Sequence, residues 1–311
     1  MADKETTCSL EYPLIINKWR WFRAWHWQFP LAFPLTAITF RPPQFGMKKY
    51  WHVIGVGIQN NLTYRVNYLS RTLFSFIPLF AMLSLWRTIY SGKEAIAGYS
   101  LAQMISYYLV VAVVDVLTAV NEDDWQIAAD IREGNISQFL LKPVDYLWFR
   151  LSLFVSGRVA YMAVALIPLV IFIACFGRYF VLPADPTALV AFCVSLVLTA
   201  LLQFFISYGM AMLAFWVLEV STFIFILFAF EYVASGHMFP LDVLPSGIKQ
   251  ALFYTPFPYQ LYFPVGIYMG KIAGADLVRG LFIQAGWVLA AFGFARFMWH
   301  RGVRHYGAFG G

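Results

Sequence analysis

Asp115, Glu219, Glu231 and His237 stand inside or at the edges of long apolar runs, where an uncompensated polar group is expensive. If those runs cross a bilayer, a centrally placed carboxylate costs about 3 kcal/mol, so it faces a bundle interior or water. Two readings of Asp115 and Glu231 follow. With His237 they line a route through the bundle, or Asp115 pairs with an arginine such as Arg87 or carries a proton. Glu219 reads as a solvated group at a turn. His237, beside Gly236, reads as a turn residue near the outer face. No second His or Cys stands at ligand spacing from it, so no metal site is expected. Cys8, Cys175 and Cys193 are too scattered for a zinc site or a disulfide framework, and the last two read as core thiols. A membrane-embedded transferase would need His, Asp, Glu or Ser clustered near one face, and no such cluster is visible.

A second polar feature is the run DIREGNISQFLLKPVDY at 130–146. Ahead of it, Asn121, Asp123 and Asp124 suit a helix N-terminus. Trp125, Ile127, Ala128 and Ile131 then fall largely on one helical face. Gly134-Asn135 supplies a stop. The spacing predicts a short amphipathic helix over about 124–134 that leaves Asp130, Arg132 and Glu133 for contact. Pro143 blocks further helix, and VDYLWFR re-enters the membrane with Tyr146 and Trp148 as interfacial anchors. The plainer reading of this helix is an anchor lying in the membrane interface.

The elements that must hold these residues are apolar helices. Hydrophobic residues make up 61% of the 311 and charged ones 12%, half of the roughly 25% found in soluble domains; the mean hydropathy is +0.67. The net charge of +6 comes without a basic stripe interleaved with stacking aromatics, so no nucleic-acid partner is expected. Six stretches approach the ~20 apolar residues that a spanning helix needs: 68–90, 101–120, 151–176, 187–217, 219–236 and 277–299. The fifth is short. Residues 239–264 are apolar but broken by five prolines, which predicts a re-entrant pair of short helices instead of a span. The fold class is therefore an all-α polytopic membrane protein. From Met47 onward, Lys and Arg favour the loop side by eleven to six, which places both termini and the 121–150 loop in the cytoplasm. Residues 47–67 read as an interfacial amphipathic segment, and 1–46 as an upstream extension or a Trp-rich interfacial arm.

The run Ile131-Arg132-Glu133-Gly134-Asn135-Ile136, continuing through Leu140, Lys142 and Pro143, resembles the signature I-R-x-G-x-[LI]-x-x-x-L-x-K-P of type-2 ATP-binding-cassette (ABC) permeases. The similarity extends from Met47 to Gly311 and is greatest to permeases built from two different membrane subunits and one kind of ATPase. The resemblance implies a coupling helix around 124–134, with Asp130, Ile131, Arg132, Glu133 and Gly134 meeting a cytosolic ATPase dimer. It also implies a second permease subunit, either a paralogue or another copy. Bound lipid and location in a bacterial inner membrane follow as well. The chain has no G-x-x-x-x-G-K-[ST], so ATP and Mg would be held by the partner, with no cofactor here. Export of a drug or of an amphipathic, lipid-like cargo is the function implied. An ion-coupled secondary transporter would favour more intramembrane charges and an inverted repeat; a scaffold would not need the polar loop.

Overall fold

The computed structural model describes residues 47–119, 123–175 and 186–306, all within one compact unit. The extension at 1–46 with Cys8, the cap expected at Asn121, and the last five residues lie outside the described residues.

Eleven α-helices follow one another, with no strand among the described residues. They are α1 (Lys48–Thr63), α2 (Arg65–Ile89), α3 (Leu101–Thr118), α4 (Asp123–Arg132), α5 (Ile136–Leu140) and α6 (Tyr146–Cys175). Then come α7 (Pro186–Ala211), α8 (Ser221–Ala234), α9 (Ser246–Phe253), α10 (Tyr262–Tyr268) and α11 (Gly274–His305). A 3-10 turn, Met212–Phe215, prolongs α7. Five helices are long and apolar enough to cross a membrane: α2, α3, α6, α7 and α11. The chain is an all-α polytopic membrane protein. The fifth expected span is a helix of only 14 residues, α8. At 1.5 Å per residue it reaches about 21 Å, short of the ~30 Å of hydrocarbon.

Local chemistry sets the helix ends. Ser100 and Gln103 form a reciprocal capping box at the start of α3. α6 begins five residues earlier than the sequence suggests because the Asp145 carboxylate accepts the Leu147 and Trp148 amides at 3.0 and 3.2 Å. Pro78 and Pro168 lie inside α2 and α6 without ending them.

α3 is the interior helix: 61% of its apolar window is buried, against 17% for α2 and 22% for α11. α1 and α2 track α6. Lys49 donates to the Pro143 carbonyl at 2.8 Å, Gly57 abuts Ser156, and Phe76 stacks on Phe172. The segment expected along the membrane surface thus has one face closed against α6. Gly302 lets α11 approach the Phe215 ring so closely that a Cβ would come within 2.1 Å of it. α8 is the contrast, with only Ile224 and Ala234 buried.

The proline-rich segment before α11 does form two short helices. α9 buries none of its residues and α10 buries all seven. Gln284 of α11 fixes this region: its amide donates to Ser195 O at 3.1 Å, Thr199 Oγ1 at 3.0 Å and Tyr259 O at 2.9 Å, and accepts from Ser195 Oγ at 3.0 Å. Around Asp242 a second knot closes, with Lys249 at 2.6 Å, Tyr99 at 2.7 Å and Tyr262 at 2.9 Å all donating to its carboxylate.

Candidate functional site

Helix α4 packs on α7 and on the 3-10 turn after it. Its buried side is Ile127, Ala128 and Ile131, as the spacing predicts. Trp125, expected on that side, is 43% exposed. It lies more than a turn before Ile131, where the helix leaves the bundle. Asp130, expected to be left for contact, is half-buried and engaged within the chain. It forms an ion pair with Arg150 of α6, a residue only 5% exposed, and accepts from the Tyr146 hydroxyl at 2.9 Å. Arg150 Nε in turn donates to that hydroxyl at 2.9 Å. Tyr146 is therefore a buried link between α4 and α6, stacked under Trp299 at 5.1 Å, and not an interfacial anchor. The cause is a cation: a guanidinium one turn into α6 needs acceptors, and the loop supplies them.

Gly134 ends the helix with φ +79°, a left-handed conformation that glycine adopts without a Cβ penalty. Its carbonyl accepts from the Ser137 hydroxyl at 2.8 Å and from the Tyr306 hydroxyl at 3.2 Å. The end of α11 is thereby tied to the loop. Arg296 of α11 adds an ion pair to Asp145 at 2.6 Å. Ile136 and Phe139 pack inward. What remains on the free side is Arg132, Glu133, Leu140, Leu141, Lys142 and Pro143. Leu141 is 89% exposed.

Above the loop lies a cavity of about 300 Å³ between α3, α7 and α8. Asp124 and Trp125 of α4 belong to its wall, together with Asp115, Gln203, Glu231 and His237. His237 Nε2 lies 2.9 Å from Asp115 Oδ1 and Nδ1 lies 2.7 Å from Ser235 Oγ. Because a hydroxyl can donate or accept, both the neutral and the protonated imidazole are satisfied there. Asp115 thus pairs with His237, while Arg87 is exposed on α2. Nor is His237 at the far rim. The turn that carries it is held against the middle of α3 by Tyr107 and Tyr108, whose hydroxyls donate to the Gly236 and Met238 carbonyls at 2.7 Å each. Glu219 is exposed. Cys175 and Cys193, expected as core thiols, are exposed on α6 and α7, since the helix faces they occupy are apolar but turned outward. Among the described residues no three His, Cys, Asp or Glu side chains are grouped to hold a metal.

The structure brings Asp115, Glu231 and His237 to one cavity, and α4 runs from the wall of that cavity, at Asp124 and Trp125, into the 130–143 motif. The family model for ABC-2 family transporter proteins matches residues 76–310, from the middle of α2 through the end of α11. The chain belongs to the ABC-2 transporter family. No curated protein matches it. As an ABC-2 permease it is the membrane subunit of an ABC transporter and works with an ABC ATPase.

Sequence reasoning missed four members of this ABC-2 permease's polar framework: Arg150, Tyr306, Gln203 and Gln284. Each is a polar residue in or beside an apolar helix, a pattern that demands a partner without saying where in the chain the partner lies.

Proposed function

We propose that this permease subunit exports an amphipathic substrate, and that ATP hydrolysis on the partner drives it through the α4–α5 loop. The α4–α5 end faces the cytoplasm of a bacterial cell, with both termini on that side and α9–α10 in the outer half of the inner membrane. Two permease subunits, this chain with a copy or a paralogue, stand over two ATPases that bind ATP and Mg. The free ridge from Arg132 to Pro143 meets the ATPase. Asp130, Ile131 and Gly134 then act from behind that ridge, holding it to α6, α7 and α11.

The observation that supports this reading most is the double attachment of α4. One end carries the exposed ridge, while the other, at Asp124 and Trp125, forms part of the cavity wall. A rigid-body shift of α4 must therefore alter the cavity. In the purified permease–ATPase complex, Glu133→Lys is expected to leave assembly intact and to separate ATP hydrolysis from transport. Unchanged coupling in Glu133→Lys and in Gly134→Ala together would contradict the proposal. Failure of any ATPase to co-purify would favour an ion-coupled transporter or a scaffold.

A further inference from the structure

We infer that the cavity beneath His237 receives a cationic amphiphile, a protonated amine or guanidinium carried on an apolar body. The inference names the substrate class for the site in the proposed function and rests on that reading. Asp115 and Glu231 both line the cavity with His237, and no Lys or Arg is among the described residues of its wall. His237, bonded to Asp115, offsets at most one of them. Glu231 has no hydrogen-bond or ion-pair partner among the described residues, although α8 holds it at the cavity wall. A carboxyl in so apolar a setting, facing only the imidazole that Asp115 already binds, either keeps its proton or meets a cation, and a cationic ligand draws it to the charged form.

A second group points the same way independently. Gln203 of α7 is only 6% exposed, it lines the cavity, and its Oε1 has no hydrogen-bond partner. Buried side-chain acceptors are ordinarily satisfied. An ammonium or guanidinium offers several N–H donors, enough to serve a carboxylate and an amide oxygen together. The remaining wall suits the rest of such a molecule: Ile224, Phe225 and Phe228 on one side, Met210 and Trp125 on the other. Aromatic faces attract a desolvated cation. The volume of about 300 Å³ sits at the lower end of small-molecule pockets, enough for a compact ring system.

The test is equilibrium binding of two dyes with one xanthene core, cationic rhodamine 123 and anionic fluorescein, to the purified permease–ATPase complex without nucleotide. Binding of rhodamine 123 over fluorescein is expected, weakened at least about tenfold, or 1.4 kcal/mol, in Glu231→Gln and in Gln203→Leu. Glu219→Gln, an exposed carboxylate outside the cavity, should bind as the parent does, and Glu231→Asp should recover part of the loss. Equal affinity for the two dyes, or full affinity in both cavity variants, would overturn the inference. The two proposals fail separately. Rhodamine binding that survives while Glu133→Lys leaves coupling untouched removes the lever and keeps the cation site; intact coupling without cation preference does the reverse.

Discussion

Two acidic clusters sit at either end of α4, and they are built in opposite ways. Around Asp130 every strong donor meets an acceptor inside the chain: Arg150 and Tyr146 close on the carboxylate, and Trp299 covers them. Around Glu231 the acceptors outnumber the donors: the Gln203 oxygen has no donor, and the Glu231 carboxyl faces only the His237 ring that Asp115 already binds. The first arrangement stabilises the native state. The second gives up stability, and a protein retains such a cost where something else is to bind. The Asp242 and Gln284 knots belong to the first kind, so the open valence of the cavity stands out against three closed networks.

The contrast breaks most visibly at Asp130. Asp130→Ala strands a buried guanidinium and is expected to cost about 3–5 kcal/mol, read as a lowered unfolding midpoint of the purified complex. Glu231→Gln should be neutral or stabilising in the same assay. Equal losses from both would erase the distinction. Next in size is Gln284→Ala, which leaves carbonyls of Ser195 and Tyr259 short of a donor, at about 1–3 kcal/mol; protease sensitivity between α9 and α11 should rise with it. Gly134→Ala meets no clash, since the nearest atom to a new Cβ is the Tyr306 hydroxyl at 3.6 Å. It still places a side chain in the left-handed region, at about 1–2 kcal/mol. Tyr306→Phe removes one hydroxyl and should cost about 1 kcal/mol, so a larger effect on coupling than on stability would mark the α11 tie as part of the lever.

The smallest effect is set by pH. Burial pushes the Asp242 carboxyl up, but hydrogen bonds from Lys249, Tyr99 and Tyr262 outweigh it and hold the group below its ordinary value of 3.8. Its contribution to stability is complete above that value and is lost as the pH falls through the lowered one. Thermal stability should therefore show an acid limb below the usual carboxylate range that Asp242→Asn flattens. An unchanged limb in that variant would assign the acid sensitivity elsewhere.

Much of this was legible in the residues themselves. Apolar run length located five spans to within about two helical turns at each end, and Gly134 announced the left-handed stop that the backbone adopts. Partner choice was not legible. Asp130 read as a contact residue because a polar group on a short loop helix ordinarily faces solvent, and nothing nearby points to Arg150, 20 residues on. Tyr146 and Cys193 show the same limit in opposite directions. In lipid, core and exterior helix faces are both apolar, so composition alone does not tell a buried tyrosine from an interfacial one, or an outward thiol from a packed one. His237 was displaced for another reason: α8 stops after 14 residues, and its turn comes back against α3 rather than reaching the rim.

Everything in the proposed coupling depends on contact between the Arg132–Pro143 ridge and the motor. A photo-crosslinker attached at Leu141→Cys in the assembled complex tests it most directly. A covalent adduct with the ATPase subunit is expected, with a yield that changes when ATP is bound. An adduct with phospholipid alone, indifferent to nucleotide, would contradict it.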